Sequence, residues 1–136
     1  MSLETDLVAA LGASAPVAAI VGDRVHPWRL PERPVFPAIV YQVIGRPHEY
    51  AHDGPAKLST PVLQLSLWGG SGDGAVLDVI ELSERVRELL GGFAGDLGGG
   101  ARVAGLMLID ERDDVEPDTG WFRKIQDWRG MRREEA

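Results

Sequence analysis

The feature that most restricts the fold is a change of hydrophobic period across Gly69–Gly74. Before it, Leu63, Leu65 and Leu67 alternate with Gln64, Ser66 and Trp68, a period of two with one strongly apolar face. After it, Ala75, Val79, Leu82, Val86, Leu89, Leu90 and Phe93 recur at spacings of three and four. The first pattern predicts a strand over Pro61–Gly69, the second a long amphipathic helix. Each has one apolar side that needs a cover, so the helix lies on the sheet. Glu81, Glu84, Arg85, Arg87 and Glu88 form the wet face of the helix, with Glu81 and Arg85 at the favourable i,i+4 spacing. Asp73 is placed to cap its start and Gly91-Gly92 to end it.

Other segments extend this plan. Ile39, Val40, Tyr41, Val43 and Ile44 predict a strand over Ala38–Gly45. Further strands are expected at Val103–Ile109 and Trp121–Trp128, joined through the turn Pro117-Asp118-Thr119-Gly120. Leu3, Leu7, Val8 and Leu11 predict a short N-terminal helix, and Ala15–Val21 a further brief one with Pro16 near its start. Between them and the first strand, Gly22–Pro37 carries four prolines with Arg24, Trp28, Arg29 and Arg33, which reads as an ordered but irregular surface arm. The glycine-rich stretch Ala94–Gly100 reads as a flexible connection. The expected class is α+β: a two-layer domain with a mostly antiparallel four-stranded sheet, one long amphipathic helix and a short N-terminal helix. At 136 residues the chain is one domain, expected over 1–128, with 129–136 a mixed-charge tail that frays.

Composition removes several functions. The chain has no cysteine, which eliminates disulfides, thiolate metal sites and cysteine nucleophiles and fits a reducing compartment. Its formal charge of −7 repels a polyanion at long range, so conventional DNA binding is not expected. No apolar run is long enough to span a bilayer, and the acidic start Met1-Ser2-Leu3-Glu4-Thr5-Asp6 lacks the positive end of a secretory signal. The simplest expectation is a soluble domain made inside the cell.

Three motifs invite a chemical reading. His48-Glu49-Tyr50-Ala51-His52 matches H-E-x-x-H, which in zinc peptidases puts two imidazoles on one helical face with the glutamate as base. Here Pro47 precedes it and Asp53-Gly54-Pro55 follows, between two strand-like runs. In an extended segment, residues four apart stand ~13 Å from one another. A loop with incidental histidines is therefore expected, and a zinc hydrolase using His48, Glu49 and His52 is the distant alternative. The acids Asp110, Glu111, Asp113, Asp114 and Glu116 could hold a catalytic pair but read as a solvated strand end that blunts a sheet edge. Ser71-Gly72-Asp73-Gly74 lacks the lysine of a phosphate loop and reads as a turn into the helix. No catalytic residue, cofactor or metal is assigned. Of the four tryptophans, Trp28, beside Arg29 in the arm, suits a protein–protein anchor.

The succession "LVAALGASAPVAAIVGDRVHPWRLPE", "PAIVYQVIGRP", "DGPAKLSTPVLQLSLWG" and "ERDDVEPDTGWFRKIQDW" resembles the tail-completion or tail-terminator family of long-tailed bacteriophages and related gene transfer agents, from Leu3 to about Trp128. The resemblance implies a structural virion protein without catalytic residues. It implies a ring, typically a hexamer, at the head-proximal end of the tail tube, which ends tube growth and presents a face to the head's connector. A head–tail connector or stopper is the alternative. On that reading the partners are the chain itself, the tail tube protein and the connector, with DNA passing through an acidic bore unbound and no membrane involved. The place is the tail–neck junction of the virion, with assembly in the bacterial host cytoplasm. Interface residues expected on this basis are Arg24, His26, Trp28 and Arg29 in the arm, His48 and His52 in the loop between the first two strands, and Asp114, Glu116 and Asp118 in the closing hairpin.

Overall fold

The structure, a computed structural model, describes residues 3–45, 48–51, 54–59, 62–91, 95–96 and 102–132. Helices α1 (Leu3–Ala13) and α2 (Ala15–Val21) come first, then β1 (Val25–Pro27) and β2 (Ala38–Gly45). A hairpin of β3 (His48–Ala51) and β4 (Gly54–Ser59) leads to β5 (Val62–Trp68) and the long helix α3 (Asp73–Leu90). The chain closes with β6 (Gly95–Asp96), β7 (Arg102–Val115) and β8 (Phe122–Arg132). Six strands form one sheet in the order β1-β2-β5-β8-β7-β6, and β3 and β4 form a separate two-stranded sheet.

The α+β class stands, with corrections to the sheet. The four expected strands are its centre, β2-β5-β8-β7, and they are antiparallel. The sequence reading missed two short edge strands: β1, parallel to β2, and the two-residue β6. A three-residue strand cannot announce itself by period, and Pro27 ends it. β7 runs to Val115 rather than Ile109, and β8 to Arg132, past the expected end at Trp128.

Register fixes two faces. Ile39, Tyr41 and Val43 stand opposite Leu67, Leu65 and Leu63, which stand opposite Lys124, Gln126 and Trp128. This face is covered by the helices: Leu7, Leu11, Val17, Val21, Val79, Leu82, Val86 and Leu90 are all fully buried in one core with the strand leucines. Each such side chain contributes about 1.5–3 kcal/mol by leaving water. The long helix does not cover the sheet alone: both short N-terminal helices share the layer. Arg85 ties two of them, donating to the Pro16 carbonyl at 2.7 Å and to Glu81 at 2.6 Å.

Asp73 does not cap α3. The N-cap is Gly72, without a side-chain bond, and Asp73 is the first helical residue, where its charge suits the positive end of the helix. The start of α3 is fixed instead by a tight junction. Gly69 N–H donates to the Phe122 carbonyl at 2.9 Å and Phe122 N–H to the Gly70 carbonyl at 2.7 Å, so the strand end and the helix start are laced to β8. At Gly69 a side chain has no room, because the Ala75 carbonyl oxygen would lie 2.7 Å from a Cβ.

Candidate functional site

The face of the sheet turned away from the helices carries the candidate site. Across it Gln42, Gln64, Asp127 and Asp110 share one row of register on β2, β5, β8 and β7. They form a continuous polar ladder. Gln42 Nε2 donates to Gln64 Oε1 at 2.8 Å, and Gln64 Nε2 to Asp127 Oδ1 at 3.0 Å. Arg112 then bridges Asp127 Oδ2 at 2.8 Å and Asp110 Oδ2 at 2.6 Å. Hydrogen bonding to Asp127, then to Asp110, raises the Arg112 guanidinium above its ordinary value, so its charge is permanent.

The arm borders this face. Arg24 builds its base: Nη2 donates to the Ile20 carbonyl and Nε to the Pro37 carbonyl, both at 2.9 Å, joining the end of α2 to the residue before β2. From there β1 runs beside β2, and Trp28 N–H donates to the Tyr41 carbonyl at 2.9 Å. The chain then reverses. Arg29 N–H reaches back to the Pro27 carbonyl at 2.7 Å, and Trp28 between them has φ 68°. A bulky residue in the left-handed region costs on the order of 1–3 kcal/mol and persists only where its surroundings hold it. The indole so placed is 69% exposed.

A cleft of about 200 Å³ lies between arm and sheet, walled by Trp28 and Arg29 on one side and Trp68 and Arg123 on the other, with Gln42 and Gln64 on its floor. Arg123 stands 4.9 Å over the Trp68 ring and pairs with Asp114, Nη2 to Oδ2, at 3.0 Å. Trp121 packs edge-on to both Phe36, at 4.9 Å between centroids, and Trp68, at 6.5 Å. An aromatic cluster therefore braces the cleft from behind.

The closing turn stands at the same end of the sheet. Glu116 N–H donates to the Trp121 carbonyl at 2.9 Å and Gly120 N–H to the Glu116 carbonyl at 2.8 Å. The Glu116 carboxylate accepts from Asp118 N–H at 3.1 Å, and Thr119 Oγ1 from Trp121 N–H at 3.2 Å. Gly120 at φ 73° completes a reversal that a side chain would oppose. Pro117 and Asp118 are exposed at its tip.

The expected interface residues thus divide. Trp28 and Arg29 share the cleft, and Asp114 reaches it through Arg123. Arg24 turns its guanidinium inward, His26 is half-buried on β1, and Glu116 serves the turn, leaving Asp118 as its outward carboxylate. His48 begins β3, whose backbone pairs antiparallel with β4, His48 opposite Ser59. His48–Ala51, the first four residues of the H-E-x-x-H run, are therefore strand where a loop was expected, without the helix that a zinc peptidase requires. His52 lies outside the described residues. Among the described residues no cluster of three His, Cys, Asp or Glu could hold a metal ion, and no helix is long and apolar enough to cross a membrane. The acidic run Asp110–Asp114 is not merely solvated: Arg87 and Lys124 reach Glu111, and Lys124 and Arg123 take Asp113 and Asp114. Sequence reasoning missed Trp68, Arg123 and the ladder. Their signal was the alternation itself, which put Gln64, Ser66 and Trp68 on the side opposite the leucines.

The sequence model of the family described as "Tail completion protein gp17" matches residues 5–131. The chain belongs to this family. It is accordingly a structural protein of a virion tail rather than an enzyme. As a tail completion protein it acts in assembly with other virion proteins. A chain of a solved structure titled "Virion of native gene transfer agent (GTA) particle" has the same fold, with a TM-score of 0.68, 19% identity, and coverage of 95% of this chain and 92% of that one. No curated protein matches the sequence.

Because Arg24 staples the arm, Arg24→Ala is expected to lower stability by about 1 kcal/mol. Thermal unfolding should show a midpoint lower by roughly 4 °C. Limited proteolysis should show cleavage within 22–37 ahead of any other site.

Proposed function

We propose that this tail completion protein assembles into a hexameric ring that caps the head-proximal end of the tail tube. The ring ends tube growth and presents the face to which the head's connector joins. The observation that carries this is the family match over nearly the whole chain. The structure supports it physically. A closed ring needs two different surfaces on each copy, one giving and one receiving. The sheet has two unlike borders, the arm with β1 on one side and the two-residue β6 beside the long β7 on the other. The fold neighbour in a gene transfer agent virion is consistent with the same setting. The chain's charge of −7, repeated around a ring, lets DNA pass without adhering. The site of action on this reading is the tail–neck junction, after assembly in the host cytoplasm.

Electron microscopy of particles made without the protein tests the role. Over-long tubes without heads are expected. Headless tails of normal length would instead assign it to the connector or stopper.

A further inference from the structure

We propose that the cleft between Trp28 and Trp68 receives the β7–β8 turn of a second copy of this chain, with Asp118 of one subunit docking on Arg29 and Arg123 of the next. This rests on the ring reading and names its lateral contact.

The cleft specifies its occupant by chemistry. Two guanidiniums point to a carboxylate. Arg29 makes no ion pair among the described residues, and Arg123, held by Asp114 and the Trp68 ring, is presented in a fixed pose. Two indoles point to a flat, apolar companion beside that carboxylate. Tryptophan and arginine are also the residue types that most often dominate association energies. The strained backbone at Trp28 holds the ring at the mouth of the cleft with most of its surface exposed.

The turn supplies what the cleft asks for. Its tip carries Pro117, whose ring can lie on an indole, next to Asp118. Glu116 spends its carboxylate on the turn's own backbone, so Asp118 is the acid left to a partner. Four hydrogen bonds and Gly120 fix the loop before contact, so little ordering is lost on docking. The hairpin carries the turn beyond the Trp68–Arg123 row, the last one β5 shares with β8, and so past the cleft of its own subunit. Turn and cleft are different surfaces, so each copy gives one contact and receives one, the geometry from which rings close.

Charge reversal tests the pairing. Both positions are exposed, so Arg29→Glu and Asp118→Lys should leave the circular dichroism and unfolding midpoint unchanged. Self-association of the purified protein is measured by sedimentation, alone and on tail tubes. Each variant alone should associate at least about tenfold more weakly than the parent. An equal mixture of the two should recover the parent's affinity to within about threefold, since the copies can alternate so that every contact is again complementary. Rings of parental affinity from either single variant, or no recovery in the mixture, would overturn the docking and leave the ring reading standing. A parent protein that stays monomeric even with tubes present would remove both.

Discussion

Replacing Trp128 by alanine is expected to cost about 3–5 kcal/mol of unfolding free energy. Against the usual 5–15 kcal/mol of a domain this size, that leaves little folded protein at growth temperature. Trp128 is 2% exposed and stands opposite Leu63 on one side and Leu108 on the other, under the helix layer. Its removal forfeits both apolar burial and the packing around the void. A second loss comes from polarity. The indole Nε1–H donates to Gln126 Oε1 at 3.1 Å, and Gln126 is fully buried. Gln126 Nε2 in turn donates to Glu111 Oε2 at 2.8 Å and lies 3.4 Å from the Ser83 carbonyl, while Arg87 holds both Glu111 oxygens at 2.9 Å. Truncation strands the amide oxygen in the core, a penalty of about 1–3 kcal/mol. Trp128→Phe separates the terms: it keeps most of the volume and should lose chiefly the amide contact, about 1–3 kcal/mol. Urea unfolding with an unchanged m-value measures both. A Trp128→Ala midpoint equal to the parent's would refute this account of the core.

Gly69→Ala should cost about 2–3 kcal/mol, seen as a drop of roughly 10 °C in melting temperature. The cause is space. A methyl group at Gly69 would press on the Val79 side chain and stand 2.7 Å from the Ala75 carbonyl oxygen, which belongs to the first turn of α3 and cannot rotate aside. Either the helix retreats from the sheet or β5 leaves its lacing to Phe122. Gly12→Ala is the control. It lies in α1 with nothing within 4 Å of a Cβ, and should leave the protein unchanged or slightly more stable. Equal melting for both variants would show that the strand-to-helix junction is looser than its geometry.

Much of this architecture is legible in the amino-acid sequence. Leu63, Leu65 and Leu67 declared the buried side of β5, and the stripe from Ala75 to Leu90 declared α3, because burial enforces periodicity. The extension of β7 through Asp113 and Asp114 was not legible. Acids have poor strand propensity, and what holds them extended is Lys124 and Arg123 on the neighbouring strand, visible only once register is known. β1 escaped because three residues carry no pattern. Asp73 misled because a helix can start on glycine when its first turn is anchored from outside. At the site, Trp28 and Arg29 could be suspected from an exposed proline-rich context. That they meet Trp68 and Arg123 depends on how an irregular arm crosses an open sheet, and no local rule sets that path. Arg24 looked like a surface cation because sequence cannot tell a guanidinium facing solvent from one that caps two carbonyls.

The ladder Gln42–Gln64–Asp127–Arg112 has an orientation as well as a composition. A carboxylate can only accept, so Asp127 compels Gln64 to offer its amide N–H, and Gln64 thereby compels Gln42 to do the same. The row is polarised in one sense across three strands, anchored by a cation at one extremity. At the other extremity the Gln42 side-chain oxygen is left outermost, without a donor among the described residues, so a visitor to that hollow meets an acceptor whose direction was decided on the far side of the sheet.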